Sequence, residues 1–65
     1  MLNQDENIIR PAEAAEMAGV SEATVRRWVR EQRLNKYEDG LGRMYVDRRE
    51  VRHLLTPQPV TEVGA

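Results

Sequence analysis

The sequence predicts a small, mainly α-helical domain carrying one β-hairpin, and three observations in its 65 residues predict it. Residues 21–34, SEATVRRWVREQRL, read as one amphipathic helix of three turns. At about 100° per residue, Val25, Trp28, Val29 and Gln32 fall on one face and Ala23, Arg26, Arg27 and Arg30 on the other. Asp39 followed by Gly40-Leu41-Gly42 separates two short strand-like segments, which is the punctuation of a hairpin. Asp47 with Glu50 three residues on, then Val51, Leu54 and Leu55 at i, i+3 and i+4, marks a further capped helix.

A chain this short buries only about 60% of the surface its unfolded form exposes, so a single domain of marginal stability is expected. With no Cys there is no disulfide, thiolate nucleophile or zinc knuckle, which fits a reducing compartment. No run approaches the roughly 18 apolar residues that span a bilayer, and MLNQDENIIR has neither the basic nor the apolar region of a signal peptide. The expectation is a soluble, cytoplasmic protein with no membrane partner.

Taken in order, residues 1–7 are polar and are expected to be a flexible N-terminus, residues 8–55 to be the folded domain, and residues 56–65 a flexible tail. Ile8 and Ile9 are a short apolar segment that either packs under the domain or adds a strand to the hairpin. Pro11 suits the first position of a helix, where its missing N–H costs nothing. That helix spans residues 11–18, with Ala14, Ala15, Met17 and Ala18 inward and Glu13 and Glu16 outward. Gly19 ends it in the left-handed conformation, and Ser21 caps the next helix, which runs to about Arg33.

Leu34 turns the chain back to the core, residues 35–39 and 43–46 form the hairpin strands, and the last helix covers residues 48–55 before Pro57 and Pro59 stop it. Trp28, between Val25 and Val29, is read as core, with an indole N–H that needs a partner.

No catalytic constellation is visible: the only His, His53, has no evident Ser or Asp partner, and the glycines do not open a helix as a phosphate loop does. His53 is expected at the surface or half-buried, the carboxylates show no metal-ligand spacing, and a non-enzyme without metal or cofactor is the reading. The net charge of −1 hides an uneven distribution: residues 24–52 hold nine basic and five acidic side chains, a net +4, and the remainder carries −5. A basic helix face alone is most often solvated surface. Here it follows a small-residue helix and a Gly turn, AAEMAGVSEATVRRWV over residues 14–29, the order of a DNA-binding helix-turn-helix.

That run resembles the phage excisionases, or recombination directionality factors, and more broadly the MerR-like winged helix-turn-helix domains. TVRRWVRE, residues 24–31, is similar to the lambdoid excisionase recognition helix, and the looser resemblance covers residues 8–55. It implies a winged helix-turn-helix that binds double-stranded DNA at repeated sites, bends it and directs a phage integrase toward excision in a bacterial host, associated with the nucleoid.

Arg27 and Arg30 match the family's base-reading positions, with Arg26 nearer a phosphate. Ser21 and Thr24 lie at the helix start, Thr24 toward a phosphate. Ala23 replaces an acidic residue of the lambdoid pattern, so site preference is expected to differ. Arg43 resembles the basic wing residue that enters the neighbouring minor groove, and Lys36 supports it on the backbone. Where the family has Ser or Thr as the first cap, this chain has Arg10, which weakens that cap and places a cation where a phosphate can be touched.

Two other readings are a small MerR-like transcriptional regulator and a protein-interaction or packaging adaptor that keeps the fold. Against an effector-responsive regulator, no coiled-coil or ligand domain follows the last helix. The acidic N-terminal part and basic centre suggest head-to-tail self-association on DNA.

Overall fold

A computed structural model describes residues 6–60. Within them the chain runs β1 (Ile8–Ile9), α1 (Pro11–Ala18), α2 (Glu22–Arg30), β2 (Tyr37–Glu38), β3 (Met44–Asp47) and α3 (Arg48–Leu55). The sheet has the order β1-β3-β2 and is antiparallel throughout, with Ile9 opposite Val46 and Tyr37 opposite Tyr45. This is a winged helix-turn-helix, the wing being the β2–β3 hairpin.

Pro11 opens α1 as expected, and Arg10 at its cap position makes no side-chain cap bond. Gly19 closes α1 at φ 72°, where its amide donates to the Glu16 carbonyl at 3.3 Å and the Val20 amide to Ala15 at 3.0 Å. These paired backbone bonds use up carbonyls the helix end would leave orphaned. Ser21 then starts α2, its Oγ accepting the Thr24 amide at 3.2 Å. The connection between the helices is therefore short and bonded at both ends.

The core is small: Ile9, Ala14, Ala15, Val25, Leu34, Val46 and Val51 are buried, with Ala18, Val20, Trp28, Val29 and Leu54 packed on them. Its largest fully buried side chains are valines and Pro11, so helices and sheet approach closely. Met17, expected inward, is 38% exposed, because α1 is short and its alanines already fill the space against α2 and α3. Leu55, at the end of α3, is likewise largely outside the core.

Helix α2 stops three residues before the expected end. Gln32 takes the left-handed conformation at φ 62°, and the Arg33 amide closes back on the Trp28 carbonyl at 2.8 Å while the Gln32 amide donates to Val29 at 3.0 Å. The closure matches that of α1, with Gln in the place of Gly. Gln32 consequently leaves the apolar face and is exposed. Leu34 follows and is 3% exposed, returning the chain to the core as expected.

The first hairpin strand is shorter than the sequence suggests, and the second keeps its four residues but starts one later, at Met44. At one end Asn35 is drawn toward α3, and at the other the Asp39 side chain takes the Leu41 and Arg43 amides that a longer ladder would use. Asp47 ends β3 and caps α3 with no intervening loop, its Oδ1 accepting the Arg49 amide at 2.7 Å. Glu50 does not complete a capping box, since its carboxylate is spent on Asn35. Across the other edge the Asn7 carbonyl accepts the Arg48 amide at 2.6 Å, and Arg48 pairs with Glu13 of α1 at 3.2 Å. Residues 56–60 are exposed and without regular structure; the remainder of the two segments expected to be flexible, residues 1–5 and 61–65, lies outside the described residues. No helix among the described residues is long and apolar enough to cross a membrane.

Candidate nucleic-acid interface

Helix α2 buries Val25 completely and half-buries Trp28 and Val29, which fixes its rotation about its own axis. Ala23, Arg26, Arg27 and Arg30 consequently face solvent together. Ser21 and Thr24 sit at the N-terminal end, where their hydroxyls are 3.1 Å apart. Both already serve the cap, so a phosphate there would share the Thr24 hydroxyl rather than find it idle.

The arginines of this face differ in what holds them. Arg26 pairs with Glu22 at 3.3 Å, Arg27 with Glu31 at 3.7 Å, and Glu31 also takes Arg33 at 3.0 Å. Arg30 has no ion-pair partner among the described residues. The paired side chains are about half exposed, and such surface pairs contribute at most about 1 kcal/mol each. A phosphate or a guanine edge can therefore displace the carboxylates at little cost. Glu22 and Glu31 hold Arg26 and Arg27 along the helix in the absence of a ligand.

The second set of predicted residues lies on the wing. Lys36 pairs with Glu38 at 3.0 Å, and Arg43 Nε donates to Asp39 Oδ2 at 2.9 Å. Asp39 does more than the sequence reading assigned to it. Its Oδ1 accepts the amides of Leu41 at 2.9 Å and Arg43 at 3.0 Å, and its Oδ2 also accepts the Tyr45 hydroxyl at 2.9 Å. The Arg43 amide above all, helped by the Tyr45 hydroxyl, the Leu41 amide and the Arg43 guanidinium, holds the Asp39 carboxyl well below the usual carboxylate range. An Asp before Gly-x-Gly is a turn signal, but nothing in it foretells that one carboxylate also anchors the wing cation.

Arg10, expected only as a weak cap and a cation near a phosphate, is tied to the wing as well. Its guanidinium lies 5.4 Å from the Tyr45 ring centroid, so Arg10, Tyr45, Asp39 and Arg43 form a line from the start of α1 to the wing tip. His53 is exposed on α3, as the sequence suggests. Among the described residues no cluster of His, Cys, Asp and Glu has the grouping to hold a metal ion.

A capped helix with an outward row of arginines, followed by a stiff hairpin with its own cations, is the arrangement that places one element in the major groove and another beside it. A family model described as a helix-turn-helix domain matches residues 8–59. No curated protein matches the chain.

Proposed function

The chain belongs to this helix-turn-helix domain family, and from that premise we propose that it is a sequence-specific DNA-binding excisionase, a factor that binds attachment-site DNA and directs an integrase toward excision. The DNA-binding helix-turn-helix is the common property; excision is the specific role, supported by the similarity of residues 24–31 to the lambdoid recognition helix and by a family that includes excisionase-like small proteins. The observation that carries the reading is the outward arginine row of α2, fixed in rotation by buried Val25 and ready in Arg30.

In this reading Arg27 and Arg30 donate to base edges in the major groove, where Arg pairs bidentately with guanine O6 and N7. Arg26, Ser21 and Thr24 lie toward phosphates, Ala23 offers at most a methyl contact to thymine, and Lys36 and Arg43 hold the backbone and the neighbouring minor groove. The factor does no chemistry itself. Copies bind adjacent repeats head to tail, each acidic N-terminal part toward a neighbour's basic centre, and bend the DNA between them.

The test is footprinting on the attachment-site DNA of the source genome, with and without the integrase. Protection of repeated sites that strengthens with integrase and raises the yield of excision is expected. Protection of a promoter instead, indifferent to integrase, would replace excision with transcriptional control, and no protection at any DNA would leave the adaptor reading.

A further inference from the structure

The tip of the wing carries a leucine that nothing in the domain covers. Leu41 is 78% exposed and stands between Gly40 and Gly42. Gly42 has a backbone reason to be glycine, a φ of 83°. Gly40 has none: its φ is not positive, and a Cβ built there meets nothing within 4 Å. A larger residue at position 40 would suit the chain and would reduce the entropy of its unfolded state. The bare backbone on both sides of Leu41 is thus not demanded by the chain's own packing.

The tip is also held. Asp39 Oδ1 accepts the Leu41 and Arg43 amides, Oδ2 accepts Arg43 Nε and the Tyr45 hydroxyl, and the Gly42 amide donates to the Asp39 carbonyl at 3.0 Å. Leu41 is presented outward from a tip that these hydrogen bonds hold in place.

We propose that Leu41 is a wedge that enters the minor groove beside the α2 contact and inserts between adjacent base pairs. This rests on the DNA-binding reading above. The minor groove is roughly 6 Å wide and must open to take a wedge, so a tip with glycine on both sides of the inserted side chain requires the least opening. Its walls are phosphates, and Arg43 beside the tip with Lys36 at the foot of the hairpin supplies the cations to meet them. Leucine is among the apolar side chains that unstack a base step and kink the duplex. Unstacking is easiest at pyrimidine–purine steps, so the wedge adds a preference for TA or CA at a fixed offset from the bases read by α2. That preference is independent of any hydrogen bond to a base.

The probe is a duplex recovered by the wild-type chain from a random pool, with 2-aminopurine substituted in turn for each adenine flanking the α2 contact. Wild type should raise the fluorescence at one pyrimidine–purine step. Leu41→Ala should remove that rise and weaken binding about tenfold, as the loss of a buried aliphatic side chain implies. Its melting temperature should stay that of wild type, because Leu41 has little packing to lose. Gly40→Gln should also fold normally and lose the rise, by widening the tip.

If wild type recovers no duplex from the pool, the DNA-binding reading has failed and the wedge with it. If wild type binds tightly but no step brightens, or if Leu41→Ala binds as well as wild type, the wedge is overturned and DNA binding stands. If Leu41→Ala keeps the bright step but loses cooperativity between copies, Leu41 touches a neighbouring copy, and the wedge is overturned in that case too.

Discussion

Glu50 of α3 holds Asn35 in the segment that leaves α2: Oε1 accepts the Asn35 amide at 3.0 Å and Oε2 accepts Asn35 Nδ2 at 2.8 Å. The residues are 15 apart in sequence, so this tie sets where the chain goes between the basic helix and the wing. Both bonds are to a charged acceptor but lie at the surface, which brings their worth to about 1 kcal/mol. Glu50→Ala should lower the melting temperature by roughly 4–8 °C, the shift that 1 kcal/mol gives in a domain of this size. Glu50→Gln should lose less, since an amide can still accept from the Asn35 backbone. Thermal melts of both check this, and equal losses would mean that the charge alone matters.

Gln32 gives a second prediction. It sits at φ 62° with its amide and that of Arg33 bonded back to Val29 and Trp28, a geometry that costs a non-glycine residue about 1 kcal/mol. Gln32→Gly removes that strain but adds unfolded-state entropy, so a net gain of about 0.5 kcal/mol is expected. Gln32→Val should be destabilising by more, because a β-branched residue is least tolerant of this region. Denaturant midpoints for the pair decide it. A loss of stability in Gln32→Gly would place the glutamine side chain in a stabilising role.

These two residues also mark where the sequence stops being readable. The starts of α1, α2 and α3 are legible because Pro11, Ser21 and Asp47 act through local backbone chemistry that any window of the sequence contains. The end of α1 is legible for the same reason in Gly19. The end of α2 is not, because Gln is compatible with a helix interior and carries no local signal for the left-handed turn that precedes buried Leu34. Glu50 fits a capping box by spacing, and the competing partner, Asn35, is distant in sequence. In the wing, composition shows the turn but not that Asp39 gathers Arg43 and Tyr45 onto one carboxylate.

Acid should destabilise the fold through two carboxylates. The Arg43 amide first, then the other Asp39 donors, lower Asp39, and the Arg49 guanidinium first lowers Asp47. A carboxyl whose folded pKa is depressed contributes stability that is fully present above its unfolded value, about 4, and is lost as pH falls through the folded value. Stability should hold steady between about pH 7 and 5 and decline below about pH 4. Asp47→Asn keeps a good N-cap but not the charge, so it should be weaker at pH 7 and fall less steeply in acid. Urea midpoints across this range test it; a decline just as steep in an Asp39→Asn, Asp47→Asn double variant would shift the cause to other groups.

On α2, Arg27→Ala and Arg30→Ala should each cost about 1–3 kcal/mol on the preferred site and relax base preference, as loss of a bidentate pair does. Arg26→Ala should weaken specific and random duplexes alike and reduce the salt slope by about one. Arg43→Ala should lose most where the flank is A·T-rich, since a narrow minor groove concentrates negative potential. Titrations on both duplex types separate these roles. Equal losses on specific and random DNA for Arg27 or Arg30 would reassign that residue to a phosphate.

Glu31 offers the sharpest test of whether the basic face meets DNA at all. Its carboxylate holds Arg27 at 3.7 Å and Arg33 at 3.0 Å, so DNA must compete with it for both. Glu31→Gln frees the two guanidiniums and sacrifices only exposed pairs, a stability loss of a few tenths of a kcal/mol. Binding should tighten severalfold at low salt, and the salt dependence should steepen as one more phosphate contact forms. Removing any negative charge raises affinity somewhat through the overall field, so the comparison is Glu16→Gln on the exposed side of α1, which changes the net charge equally. A gain for Glu31→Gln well beyond that of Glu16→Gln, fading toward 0.3 M salt as exposed charges are screened, is the expected result. Equal gains would mean that α2 is no nearer the phosphates than α1 is, and the assignment of α2 as the DNA-reading helix would fall.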